Sequence, residues 1–97
     1  MIRFLDAAQQ ELDEAVSFHE GQVTGLGRAF LAEVLAALDL VRRYPAAWPL
    51  STNTRRYRLR RFPYGLIYHV DGSDILVVAV AHLHRRPEYW RNRLIPI

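Results

Sequence analysis

The sequence contains no cysteine and no lysine. Without cysteine there is no disulfide framework and no thiolate nucleophile or soft metal ligand, and a cytosolic home fits. No uninterrupted apolar run approaches the roughly 18 residues a membrane-spanning helix needs. The longest, Ile75–Ala81, has the length of a strand. The N-terminus lacks the charged-then-apolar pattern of a signal peptide, so neither export nor a membrane is expected. A Gly-rich phosphate loop, a G-x-S-x-G elbow and an H-E-x-x-H helix are also missing, which removes the commonest nucleotide, serine-hydrolase and zinc-protease chemistries. No cofactor is expected. The 97 residues suffice for one two-layer core, so residues 1–97 are read as a single domain.

Arginine stands where lysine is absent. All thirteen basic residues are arginine, against ten acids, for a net charge of +3. The acids fall mostly in the first half of the chain, the arginines mostly in Arg55–Arg61 and Arg85–Arg93. A field segregated in this way suits an anionic partner, nucleic acid or an acidic protein segment, although a solvated basic face has the same composition.

The periodicities are mixed. Ile2–Leu5 is a short β-like opening. Asp6, with Gln9 three residues on, has the form of a capping box. Ala8, Leu12, Ala15, Val16 and His19 then share a helical face. Glu11, Asp13, Glu14 and Glu20 read as the solvated side of that helix. Gly21 and Gly25 bracket a break, and Thr24 is placed to cap a second helix. There Leu26, Phe30, Val34, Leu38 and Val41 form a stripe that Leu31 and Leu35 widen. Arg42 and Arg43 complement the helix dipole in its last turn, and Pro45 stops it. A loop over 45–54 carries Trp48, expected to pack on the edge of the core.

Three strands follow. Arg56, Arg58 and Arg60 alternate with Tyr57 and Leu59, giving one guanidinium face and one apolar face. Tyr64–Val70 and Ile75–Ala81 flank Asp71-Gly72-Ser73-Asp74, a hairpin signal. Apolar residues on both faces of the second run mark it as a central strand. Pro87 opens a short terminal helix, Glu88–Arg93, and Pro96 is expected to end any order. The fold class is therefore α+β: a small, mostly antiparallel sheet, an N-terminal helical hairpin on one face, order β-α-α-β-β-β-α. The other face is left partly open, and Val77, Val78, Val80, Ile67, Phe30, Leu38 and Leu12 are expected to be buried together.

On that open face Arg56, Arg58, Arg60, Arg85 and Arg86 are the candidate binding residues. His82 and His84 at strand spacing form a possible metal half-site, which His69, Asp71 or Asp74 would have to complete in space; satisfied or phosphate-facing histidines are the alternative, and no metal is assigned. Tyr89 and Trp90 either anchor the terminal helix or serve the site, by stacking or proton donation; Trp90 is expected to pack and Tyr89 to lie nearer the groove.

The run Phe62-Pro63-Tyr64 through Tyr68, the hairpin, and Val80-x-His82-x-x-Arg85-Arg86-Pro87-x-Tyr89-Trp90-x-x-Arg93, with Gly25-Leu26-Gly27-x-x-Phe30 upstream, resemble the RelE/ParE superfamily of type II toxin–antitoxin systems, formerly labelled plasmid-stabilisation proteins. The resemblance covers nearly the whole chain. It implies a cytoplasmic growth-arresting toxin with a cognate antitoxin as partner. ParE-like members inhibit DNA gyrase by binding; RelE-like members cut mRNA on the ribosome without metal. In the second case Arg58, His82, Arg85 and Tyr89 would carry the chemistry. RelE-like enzymes look to have guanidiniums where this chain has Gly65 and Leu83, groups that would neutralise charge in the transition state. The resemblance is therefore read as ParE-like, a gyrase inhibitor that is not itself an enzyme, with the endonuclease as the alternative.

Overall fold

A computed structural model describes residues 1–94. The elements are β1 (Ile2–Phe4), α1 (Asp6–Gln22), α2 (Leu26–Arg43), β2 (Leu50–Ser51), β3 (Thr54–Arg58), β4 (Tyr64–Asp71), β5 (Asp74–His82) and a 3₁₀ turn, Arg91–Leu94. The sheet order is β1-β5-β4-β3-β2, antiparallel except that β1 runs parallel to β5. The α+β class and the helical hairpin agree with the sequence reading. Among the described residues no helix is long and apolar enough to cross a membrane.

The hairpin turn is tight. Asp71 pairs with Asp74, and Gly72 takes φ +61°, a conformation that costs glycine nothing. Phe30 and Val34 of α2 pack with Leu12 and Ala15 of α1 against Leu66, Val77 and Val80 of the sheet. Trp48 packs edge to face on Tyr57, 4.9 Å between centroids, beside the cluster of Val41, Tyr68 and Ile75.

The phase of β5 differs from simple alternation. Ile67 pairs with Ala79 and Tyr68 with Val77, so Val78 is left without a partner, a β-bulge. The bulge puts Ile75, Val77 and Val80 on the helix side and Val78, Ala79 and Ala81 on the other. The seven residues expected to be buried together are all buried, but Ile67 and Val78 belong to the opposite face, where Tyr89, Trp90 and Leu94 cover them.

Several local expectations are corrected. Asp6 is the first residue of α1, Leu5 precedes it at the cap, and no side chain caps that end. The helix runs through Gly21 to Gln22. Thr24 does not cap α2. Gly25 does so at φ +91°, while the Glu20 carboxylate accepts from the Gly25 and Gly27 amides at 3.0–3.1 Å. Leu35 is 57% exposed and outside the stripe. The loop after Pro45 contains the short strand β2, and β3 ends at Arg58. Arg60 is therefore not on the strand: the Glu33 carboxylate of α2 accepts from the Arg60 and Arg61 amides and binds the Arg61 side chain at 3.2 Å, turning the chain away. Glu88 has φ +58°, which interrupts the helix expected from Pro87, and only the 3₁₀ turn forms. Pro96 lies outside the described residues.

Candidate functional site

The open sheet face carries a cleft of about 240 Å³ between β2–β3 on one side and the segment after β5 on the other. Ile67 and Ala81, 1% and 3% exposed, form its floor, Trp90 a wall, and Arg56 and Arg86 part of its rim. Arg56 reaches it because of Gly65. A Cβ at residue 65 would meet the Arg56 Cγ and Cδ at 3.2 and 3.3 Å, so the glycine lets the arginine stem lie across β4 toward Leu83. The position that lacks a guanidinium of its own thus makes room for one from the neighbouring strand. Arg58, Arg60 and His84 line a second, shallower hollow that also reaches Leu83.

Arg85 is held rather than free. Its guanidinium lies 3.8 Å from the centre of the Tyr89 ring, and Nη1 is 3.4 Å from Glu11 Oε2. Glu11 organises this end of the molecule. Its carboxylate accepts from Tyr89 OH at 2.7 Å, from both Arg93 Nη atoms at 2.9 Å and from the Val80 amide at 3.0 Å, and Arg93 Nη1 also donates to the Val78 carbonyl at 2.9 Å. β1 covers the edge of β5 only to Val77, through the Leu5 amide. The Glu11–Arg93 pair then satisfies the next free edge groups, the Val78 carbonyl and the Val80 amide, and the bulge is sealed by side chains rather than by another strand.

The electrostatics follow. Burial pushes the Glu11 carboxyl up, but hydrogen bonds from Arg93, Tyr89 and Val80 and the Arg93 charge outweigh it, so its pKa is lowered. Burial, then the hydrogen bond to a carboxylate, pushes the Tyr89 phenol far above its ordinary value. Burial, then the neighbouring His84 and His19, pushes His82 down. The His82 Nδ1 accepts from the His84 amide at 3.1 Å.

The structure places Arg56, Arg85 and Arg86 around one cleft and moves Arg58 and Arg60 to the adjoining hollow. Trp90 packs on the Ile67–Val78 cluster, as expected, and also walls the cleft, whereas Tyr89 packs on the same cluster and turns its hydroxyl to Glu11 instead of the cleft. His82 and His84 contact each other at 5.0 Å. Asp71 and Asp74 cannot join them, because Tyr64↔His82 and Asp71↔Asp74 are opposite ends of the hairpin, and His69 pairs with Leu76 near the turn. Among the described residues no three His, Cys, Asp or Glu side chains form a group that could hold a metal ion. Glu11, read as solvated, is the residue that the sequence reading missed. The signal was there: Ala8, Glu11, Leu12 and Ala15 fall at helical spacing, which places the acid within the apolar stripe.

A family model, "ParE toxin of type II toxin-antitoxin system, parDE", matches residues 2–87. The chain belongs to the ParE toxin family. Its antitoxin partner is implied by that membership. Tyr89 and Arg93 lie just past the end of the match. Among solved structures the chain is similar to one described as "Chromosomal ParDE TA system from P. aeruginosa", with a TM-score of 0.61 and 17% identity over 86% of this chain and 95% of that one. At that identity the likeness concerns the fold. No curated protein matches the sequence.

Proposed function

We propose that this ParE-family toxin arrests growth by binding DNA gyrase, is neutralised by its cognate antitoxin in the cytoplasm, and has no hydrolytic activity of its own. The observation that carries the reading is the engagement of Tyr89. A phenol that donates at 2.7 Å to a carboxylate, with its pKa raised, is a poor proton donor to a leaving 5′-oxygen and a worse base. Arg85, the other group an endonuclease would use, is stacked on that same ring and paired with the same carboxylate. Gly65 and Leu83 supply no guanidinium to a phosphorane. Binding needs none of these groups to move. Arg56, Arg58, Arg60 and Arg86 are exposed and make no ion pair among the described residues, and such a field accelerates encounter with an acidic surface.

The endonuclease remains the second reading because the stem of Arg56 crosses Gly65, a position that has no guanidinium of its own. Two assays run together decide. The purified toxin is expected to inhibit gyrase supercoiling and to leave ribosome-bound mRNA intact by primer extension in a translating extract. Codon-spaced cuts that disappear in Arg85→Ala or Tyr89→Phe, with gyrase unaffected, would replace the proposal with the endonuclease.

A further inference from the structure

Where β5 runs past β1, its outer edge is only partly closed. The Val80 amide donates to Glu11 and not to β4, so Val80 directs its backbone groups outward, and by the period of an antiparallel ladder so does His82. The next bond has the matching phase, since the Leu83 amide turns inward to the Pro63 carbonyl at 2.8 Å. Of the outward groups, the Val80 amide is taken by Glu11 and the His82 carbonyl accepts from the Arg85 amide at 3.1 Å. The Val80 carbonyl and the His82 amide have no partner among the described residues.

These two groups border a hollow of about 220 Å³ on the α1 side of the sheet. Ala15 and Val80 form its buried floor, and Phe18, 59% exposed, and Tyr64 give it aromatic walls. Glu14 lines it too. That carboxylate accepts only from Gln10, at 3.4 Å, and has no ion pair among the described residues. The other charges there, Glu11 and Arg85, are paired with each other. Burial, then the neighbouring His84 and His19, holds His82 below its ordinary value, so its ring adds no charge at neutral pH.

We propose that this edge is a second contact with gyrase, at which an extended segment of the target adds one parallel bridge to β5, its N–H to the Val80 carbonyl and its C=O to the His82 amide, and places a lysine or arginine side chain between Glu14 and the Phe18 ring. The proposal rests on the gyrase reading and adds to it a site away from the arginines of the open face. The backbone selects an extended peptide. A carbonyl and an amide two residues apart on one edge are the pair that a single residue of a parallel strand engages. β1 already runs parallel to β5, so the bridge resumes that pairing beyond the Glu11–Arg93 seal. Side chains alternate along a strand, so the residue next to the bridge points to the α1 side, as Val80 does, and enters the hollow. Charge selects that side chain. An unpaired carboxylate beside an aromatic ring favours a cation, which a nucleic-acid backbone does not offer. The sign is opposite to that of the open face, so this contact fixes register and leaves steering to the arginines.

The test is inhibition of gyrase supercoiling over a range of toxin concentrations, with affinity for the cognate antitoxin measured beside it by calorimetry. Four variants are compared with the unaltered chain: Glu14→Gln, Phe18→Ala, His82→Ala and His82→Pro. Proline removes the outward N–H without removing a bond to β4, and alanine controls for the loss of the imidazole. Glu14→Gln and Phe18→Ala are each expected to raise the concentration for half-inhibition roughly 10-fold, and His82→Pro to raise it roughly 10-fold above His82→Ala, with antitoxin affinity unchanged. Should His82→Pro fail to fold by circular dichroism, Glu14→Gln and Phe18→Ala, both at exposed positions, carry the test. Variants that inhibit gyrase as well as the unaltered chain overturn the proposal and leave the gyrase reading standing. An unaltered toxin that does not inhibit gyrase at all overturns that reading and this proposal with it. Variants that lose affinity for the antitoxin while inhibiting gyrase as before assign the edge to the antitoxin and equally overturn the proposal.

Discussion

Replacing Glu11 by alanine removes one carboxylate and strands three groups. Arg93, with 23% of its side chain exposed, loses both of its carboxylate bonds and keeps the Val78 carbonyl. Tyr89 loses the acceptor of its hydroxyl, and the Val80 amide loses its only partner beyond the reach of β1. Breaking a fully buried ion pair costs about 3–5 kcal/mol, and leaving a buried donor unsatisfied about 1–3 kcal/mol. The side chain of Glu11 is 11% exposed, so water reaches part of the cluster and the lower end applies, about 3 kcal/mol in all. For a domain of this size each kcal/mol moves the midpoint by about 4–8 °C, which predicts a fall in Tm of about 12–24 °C.

Thermal unfolding followed by circular dichroism reads that shift directly. A double-mutant cycle separates the ion pair from general damage: Glu11→Leu with Arg93→Leu is expected to cost clearly less than the sum of the single changes, since neither charge is then left alone. The pH profile is the second check. The folded pKa of Glu11 is lowered from its ordinary value of 4.5. The unfolded chain therefore binds the proton more readily. The stabilisation is fully present above about pH 4.5 and is lost as the pH falls through the folded value. The stability difference between the unaltered chain and Glu11→Gln should accordingly be constant near neutrality and shrink below pH 4.5. A Tm within 2 °C of the unaltered chain, or a difference that does not narrow in acid, would refute the account of the cluster.

Two other predictions concern the scaffold. A Cβ at residue 27 would stand 2.6 Å from the Val16 carbonyl oxygen, a backbone atom that cannot swing aside, so Gly27→Ala should separate α1 from α2 at a cost of about 1–3 kcal/mol despite its better helix propensity, measured by urea unfolding. Tyr68→Phe deletes the hydroxyl that donates to the Pro45 carbonyl at 2.8 Å. It should cost about 1 kcal/mol in the same assay, with the loop after α2 exchanging its amides faster.

What was legible in the sequence is what short-range pattern encodes. The stripe through Phe30, Val34, Leu38 and Val41 and the Asp71-Gly72 turn are local signals, and the structure bears them out. Alternation fails where it carries no phase. With apolar residues on both faces of β5, Val78 can be doubled with Ala79 in a bulge without exposing anything, so nothing in the pattern marks the slip. The parallel pairing of β1 with β5 joins residues more than 70 positions apart, and no local rule reaches that far. Glu11, Glu20 and Glu33 were lost for a related reason. Each is a single acid on an amphipathic helix, and what each binds is a backbone amide or an arginine supplied by another element. Their spacing from apolar neighbours, as in Phe30, Glu33, Val34 and Ala37, is the trace they leave.

Those acids also change what the charge segregation means. Read from composition, a chain with its acids early and its arginines late presents one basic field to a partner. In the fold much of that separation closes on itself: Glu11 takes Arg93 and Arg85, Glu33 takes Arg61, and Asp39 takes Arg42 and Arg43. Arg55 is spent on the Trp48 carbonyl. The cations left to the open face are Arg56 and Arg86 at the cleft and Arg58 and Arg60 at the hollow beside it. The internal pairs set the geometry of this residue, because Glu33 turns the chain after β3 and Glu11 anchors the segment that carries Arg85 and Arg86. The same carboxylates that reduce the field therefore fix where its remaining charges stand, and a partner meets two placed guanidiniums at an apolar cleft and two more at the hollow beside it, in place of a diffuse basic surface.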